Sequence, residues 1–219
     1  MDDIVKQALA KWPNVPNCYG WLGLDARGNW YMRDDRAQAA GPFSGENPGA
    51  MAVAFSSPPA GSPRATDGRL KAADSAKGGP RQSKGSLLKH EKLIDFIQRN
   101  YESDDSGQWF FQNGPQRVYV ELELTPWVWR ISLDSNGGFS VAGHDGRPAS
   151  VKLCVLDELG RVYLDTDAGF GLIHTQDVDL AARAVEAGLW HPLDMRSGEL
   201  PSRFGYVLSP EIHHKTLLK

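Results

Sequence analysis

Residues 108–134 read QWFFQNGPQRVYVELELTPWVWRISLD, and this run constrains the fold more than any other part of the chain. Apolar and polar residues alternate through it with the period of a half-buried strand, interrupted at Asn113-Gly114 and at Thr125-Pro126. Asn-Gly suits a type I′ hairpin turn, where both central residues need φ > 0, and proline ends a strand because it cannot donate to a ladder. The expected structure is a three-stranded antiparallel meander. With tight turns, Val118 faces Trp109, Leu122 faces Trp129, Val120 faces Ile131 and Leu124 faces Trp127 on one face. On the other, Glu121 meets Arg130, Arg117 meets Asp134 and Tyr119 lies beside Ser132, so alternation and charge pairing agree. Each large apolar side chain on the inner face contributes roughly 1.5–3 kcal/mol when fully buried, enough to anchor a core.

A chain of 219 residues is long enough to bury such a core in one large or two small domains. Its formal charge of −3 points to no polyanionic partner. Cys18 and Cys154 lie far apart and read as free thiols of a reducing compartment. No run of eighteen apolar residues occurs, and the first residues, MDDIVKQALAKWP, carry no apolar signal segment. The expectation is a soluble cytoplasmic protein without a membrane partner.

Asp2 or Asp3 caps a short helix with Ile4, Val5, Ala8, Leu9 and Trp12 on its apolar side, and residues 19–24 and 30–33 form a hairpin. These make an N-terminal unit, residues 1–38. Residues 39–84 turn rich in Gly, Pro, Ser and Ala and read as a linker or insertion. Arg64, Arg69, Lys71, Lys77, Arg81 and Lys84 make its second half basic, the one place where nucleic acid could be touched. Residues 85–150 hold a helix from Ser86 to about Tyr101, with His90, Ile94, Ile97 and Tyr101 on one face, followed by the meander. Residues 151–219 hold a second hairpin (151–156 and 161–164), a helix capped by Thr175, a last strand at 204–208 and a polar tail with His213 and His214. The whole is α+β: antiparallel sheets, as meander and hairpins, each packed with a helix, with residues 1–38 and 85–219 forming one body.

LGLDARGNWYMRDD from Leu22 and CVLDELGRVYLDTD from Cys154 share the frame Leu-Asp-x-x-Gly-x-x-Tyr. Each is followed by a helix, a Gly-x-Trp (Gly107 to Trp109, Gly188 to Trp190) and an Arg-led strand. Internal duplication and the common likeness of hairpin turns both account for this. Under duplication, the crevice between the halves is the natural ligand site.

The segments CYGWLGLDARGNWYMRDD, QWFFQNGPQRVYVELELTPWVWR, GFGLIHTQD and SRFGYVLSP resemble a family of bacterial cytoplasmic proteins known as a domain of unknown function. That resemblance covers most of the chain outside residues 39–84 and implies no activity, cofactor or site residue.

Chemistry is thinly signalled. Asp165-Thr166-Asp167 at a strand end suits an aspartyl nucleophile of the haloacid dehalogenase type, but Ala168-Gly169-Phe170 follows it in place of Gly-Thr. The same acids start a calcium-loop pattern that lacks its closing Glu. Gly169-Phe170-Gly171 before a helix matches neither the dinucleotide fingerprint nor a P-loop. No histidine pair has metal spacing, and no cofactor or metal is expected. Phe110, Arg117 and Tyr119 form an aromatic and basic sheet face, but Glu121 and Glu123 beside them oppose phosphate. The expectation is therefore a non-catalytic ligand-binding or protein-interaction module, with His90, Arg117, Tyr119 and His174 as contacts. The alternative is a small hydrolase using Asp165 or Asp167 with His174 in the crevice.

Overall fold

Five turns of one kind frame the molecule, a computed structural model that describes residues 1–43, 84–135 and 137–218. In each, a glycine N–H returns to the carbonyl three residues back: Gly28 to Asp25, Gly107 to Asp104, Gly137 to Asp134, Gly146 to Gly143 and Gly160 to Asp157. The five glycines have φ between 74° and 81°, a region open to glycine and costly for other residues. Four of the turns open on aspartate, whose carboxylate accepts backbone N–H groups further along the same turn, as Asp25 does from Arg27 and Asn29.

These turns join strands of two sheets. The first contains β1 (Cys18–Leu24), β2 (Trp30–Met32), β3 (Ser86–Leu87), β4 (Tyr101–Ser103), β5 (Trp109–Asn113) and β6 (Gln116–Leu122), in the order β3-β2-β1-β6-β5-β4. The second contains β7 (Trp127–Leu133), β8 (Phe139–Gly143), β9 (Pro148–Ala149), β10 (Val151–Asp157), β11 (Val162–Thr166), β12 (Phe170–Ile173) and β13 (Pro192–Met195), in the order β13-β10-β11-β12-β7-β8-β9. Three pairings are parallel, β1 with β6, β10 with β13 and β12 with β7, and the others are antiparallel. The complete helices among the described residues are α1 (Asp3–Lys11), α2 (Asp35–Ala39), α3 (Glu91–Arg99), α4 (Val178–Glu186), α5 (Leu200–Phe204) and α6 (Pro210–Leu217). None of these helices is long and apolar enough to cross a membrane.

One core joins the two sheets: Leu22, Leu24, Trp30, Val120 and Leu122 from the first pack with Val155, Tyr163, Phe170 and Leu172 from the second. A second core holds Trp129, Ile131, Leu164 and Ile173 against Ala181 of α4. The α+β architecture expected from the sequence is the one observed.

The meander is not continuous, however. β5 and β6 pair as expected, but Phe111 faces Val118 and Asn113 faces Gln116, which leaves Gly114-Pro115 as the two-residue turn. Gly114 at φ 56° followed by proline suits a type II′ turn. The register is thus two residues from the expected one. A slip of two preserves the faces, so Phe111 and Val118 still point to the core and Phe110 and Tyr119 away from it.

The third strand leaves the sheet altogether. β6 takes β1 as its other neighbour, and β7 pairs with β12 and β8, so Ile131 faces Val141 and Trp129 faces Gly143. None of the expected pairs between residues 117–124 and 127–134 forms. The crossing at Thr125-Pro126 is stapled by Thr125, whose hydroxyl donates to the Trp127 carbonyl and accepts the Leu172 N–H. Thr125→Val removes both bonds in a buried place and should cost about 2 kcal/mol in urea unfolding; a cost below about 0.5 kcal/mol would show that the staple is dispensable.

Other elements also differ. Ser86 lies in strand β3, and α3 starts at Glu91 with His90 as its cap. Tyr101 opens β4 instead of ending a helix. Residues 204–208 are not a strand, since α5 ends at Phe204 and the left-handed Gly205 turns the chain. The tail with His213 and His214 is helix α6, capped by Ser209.

Two sheets of similar size fit an internal duplication, and the matched motifs do the same things in each. Asp25 and Asp157 sit at the ends of β1 and β10, accept the same two turn N–H groups and accept the hydroxyls of Tyr31 and Tyr163. In each unit the first strand gains a parallel partner and the second an antiparallel one. A histidine then caps the next helical turn through Nδ1, His90 for the Leu93 N–H and His174 for that of Gln176.

Candidate ligand-binding crevice

The chain reverses at residues 166–169 between β11 and β12. The Thr166 N–H donates to the Gly169 carbonyl, and the Thr166 hydroxyl accepts the Ala168 N–H. Asp167 is pinned to the next strand joint, where one of its carboxylate oxygens accepts the Ser150 N–H. This turn faces Ser103 of β4 and Trp109 of β5, so a crevice of about 340 Å³ opens between the two sheets. The segment after α5 forms its third wall. Gly107 lets that segment pass: a Cβ there would lie 2.1 Å from the Gly205 carbonyl oxygen, and the Val207 N–H donates to Gly107.

Four aromatic rings, Trp109, Phe170, Phe204 and Tyr206, stand among more polar walls. Phe170 and Phe204 stack with centroids 3.7 Å apart, Tyr206 lies beside Phe170, and Trp109 meets Trp127 edge-on at 5.8 Å. Burial raises the Tyr206 phenol well above its ordinary pKa, so it stays a neutral donor. Lys152 of β10 and Asp165 of β11 also line the crevice. Their strands are paired, yet the two side chains make no ion pair with each other, and neither bonds to any other described residue. The Trp127 indole N–H, which does not line the crevice, is buried without a partner. It lies 3.1 Å from where a Cβ on Gly169 would sit, so a side chain at that lining position would crowd the indole.

A second concavity of about 430 Å³ lies at the ends of β10 and β13, lined by Asp157, Glu158, Asp194 and Arg196 among others. Two of its four acids are engaged. Asp157 holds Arg161 and Tyr163, and Glu158 holds the Ser197 N–H and hydroxyl, bonds that pull its carboxyl down to about 2. The inter-sheet crevice, walled by both sheets and by four aromatic rings where this concavity has none, is the better candidate.

The residues singled out from the sequence divide between distant places. Asp165 and Asp167 line the crevice. His174 does not: Asp165 pairs with Phe170, and His174 follows four residues further along, roughly 13 Å away at strand rise. Its Nδ1 caps the following turn, and burial with the Arg130 charge lowers its pKa. His90 is exposed at the start of α3. Arg117 and Tyr119 belong to a column on the outer face of the first sheet, in which Arg117 lies over Phe110, Tyr119 stacks on Tyr19 at 4.6 Å, and Tyr19 stacks on His214 at 4.3 Å. Tyr119 donates to Asp104, and burial pushes its phenol up to about 12. With Tyr19 on its ring face, Tyr119 is already stacked. The basic residues from Arg64 to Arg81 lie outside the described residues, whereas Lys84 pairs with Glu123 at 2.6 Å.

Sequence reasoning missed Lys152, Phe204 and Tyr206. Alternation puts Lys152 on the face opposite Leu153 and Asp165, and the register shift between Val151 and Leu153, which no residue type signals, brings it to the crevice. It also passed over His144, whose ring is enclosed by Trp30, Tyr101 and Trp127 although its backbone lies at a turn surface. His144 Nδ1 accepts the Val128 N–H and Nε2 is buried without a partner. Burial lowers its pKa from 6.5 to about 4. Between these values the unfolded chain binds the extra proton, so stability falls as pH drops below about 6.5 and levels off near 4. His144→Phe should therefore flatten the stability profile by about 2 kcal/mol between pH 6.5 and 4.5, read by urea unfolding at both. An unchanged slope would place the acid sensitivity elsewhere.

Fold and crevice together define a class: a two-sheet α+β protein with an aromatic-walled crevice where the sheets meet. Within it, the chain belongs to the family described as "Protein of unknown function (DUF2946)", which its residues 1–211 match. A crystal structure of a DUF1285 family protein from Silicibacter pomeroyi DSS-3 is similar at 9% identity and a TM-score of 0.41, over 77% of this chain and 71% of that one. No curated protein matches the chain.

Proposed function

We propose that this chain is a non-catalytic cytoplasmic protein that binds a small ligand in the crevice between its sheets. The observation that carries the reading is the crevice itself: both sheets contribute walls, four aromatic rings line it, and Lys152 and Asp165 enter it with their charges unspent. Concave pockets of a few hundred Å³ are the usual form of small-ligand sites. The separation of Asp165 from His174 weighs against the hydrolase alternative, which needs an acid and a base within hydrogen-bond reach. The cytoplasmic placement rests on two unpaired thiols, with Cys154 pushed up to about 11 by burial and so unreactive.

Native mass spectrometry of the protein isolated from its own cells under mild conditions tests the reading. A discrete bound mass is expected, and Ser103→Trp, which fills the crevice from its exposed rim, should abolish it. A bare monomer or dimer, or a mass that survives Ser103→Trp, would overturn the crevice and move the role to protein interaction.

A further inference from the structure

We infer, resting on the crevice reading, that the ligand is a free α-amino acid with an apolar side chain. The crevice presents one cation and one unspent carboxylate from adjacent paired strands, β10 and β11, and leaves them unpaired. Neighbouring opposite charges on a surface ordinarily satisfy each other. Both line the crevice, so a ligand with both charges on one carbon can meet each of them there. Asp165, with Asp167 beside it, receives the ammonium. Lys152 receives the carboxylate, since its ammonium is a donor with no other acceptor among the described residues. Trp109, Phe170, Phe204 and Tyr206 then enclose the side chain.

A ligand with one charge is served less well. An amine alone leaves Lys152 unpaired, and a carboxylate alone meets Asp165 without a counter-charge. The open mouth of the crevice points to micromolar or weaker binding.

Titration of the full chain with L-phenylalanine and L-leucine, followed by backbone amide NMR shifts, tests this. Shifts should concentrate at Ser103, Trp109 and residues 152 and 165–170, and phenethylamine and 3-phenylpropionate should each bind at least tenfold more weakly than L-phenylalanine. Asp165→Asn and Lys152→Met should each weaken L-phenylalanine at least tenfold and narrow its preference over the singly charged analogue that keeps the matching charge. Equal affinity for phenethylamine, an unaffected Asp165→Asn, or no shifts at 10 mM ligand would overturn the amino-acid assignment. A natural bound mass that Ser103→Trp removes, found alongside any of those results, would leave the crevice standing with a different ligand. Absence of both would sink crevice and ligand together.

Discussion

Arg33→Met should destabilise the fold by about 3–5 kcal/mol at pH 8, and by clearly less at pH 5.5. Arg33 is 1% exposed, donates to the carbonyls of Gly20 and Gly41, and approaches the Glu211 carboxylate at 4.0 Å. Near it lies Glu121, 2% exposed, which accepts the Ser209 hydroxyl and the Glu211 N–H. Burial pushes the Glu121 carboxyl up to about 7, with the Arg33 charge pulling the other way. Removing Arg33 therefore leaves a buried anion uncompensated at pH 8. Because the folded pKa of Glu121 exceeds the unfolded one, the folded protein binds the extra proton, and the contribution of this group to stability falls as pH rises from about 4.5 to about 7. Without Arg33 that pKa rises further and the loss becomes larger. At pH 5.5 Glu121 is protonated in either protein, so an uncompensated Glu121 charge no longer adds to the cost of losing the contacts of Arg33 with the carbonyls and with Glu211. Urea unfolding of both proteins at the two pH values decides it; the same cost at both would mean that Glu121 does not feel Arg33.

This cluster marks where sequence reasoning runs out. Glu121 reads as the outward half of an alternating strand, and the local pattern gives it Arg130 as partner. It is buried because α6, ninety residues later, lies over that face. The same distance hides the pairing of β6 with β1, across about a hundred residues, and with it the departure of β7 to the other sheet. Alternation fixes which residues share a face, and this survives the two-residue slip at Gly114-Pro115. It carries no information about which strand lies alongside. The Asp-x-x-Gly turns were legible because their chemistry is local: a carboxylate reaching its own turn amides and a glycine in the left-handed region. Half of the candidate site was legible for the same reason. Asp165 and Asp167 stand out as acids at a strand end, whereas Phe204 and Tyr206 become walls only because the chain crosses Gly107. The histidines drew attention as functional residues, yet His90 and His174 turned out to serve as helix caps, a role that Ser, Thr, Asp and Asn fill far more often.

Gly107→Ala should cost at least about 3 kcal/mol, against about 1 kcal/mol for Gly160→Ala. The two glycines hold the same place in the same turn, at φ 74° and 75°, three residues after an aspartate. The left-handed penalty is common to both. Their surroundings are not: a Cβ at Gly160 meets nothing within 4 Å, whereas at Gly107 it would lie 2.1 Å from the Gly205 carbonyl oxygen and 3.2 Å from the Tyr206 Cα. Both atoms are backbone, so no side chain can rotate aside and the residue 204–207 segment must move as a unit. That segment is the third wall of the crevice, and its displacement also breaks the Val207 N–H bond to Gly107 and pulls Phe204 from its stack on Phe170. The variant should therefore lose crevice binding even under conditions where it remains folded, while Gly160→Ala binds as the parent does. Equal destabilisation by the two substitutions would mean that the segment beside Gly107 yields without cost and is not a fixed wall. A stable Gly107→Ala that still bound its ligand would move the site elsewhere in the molecule.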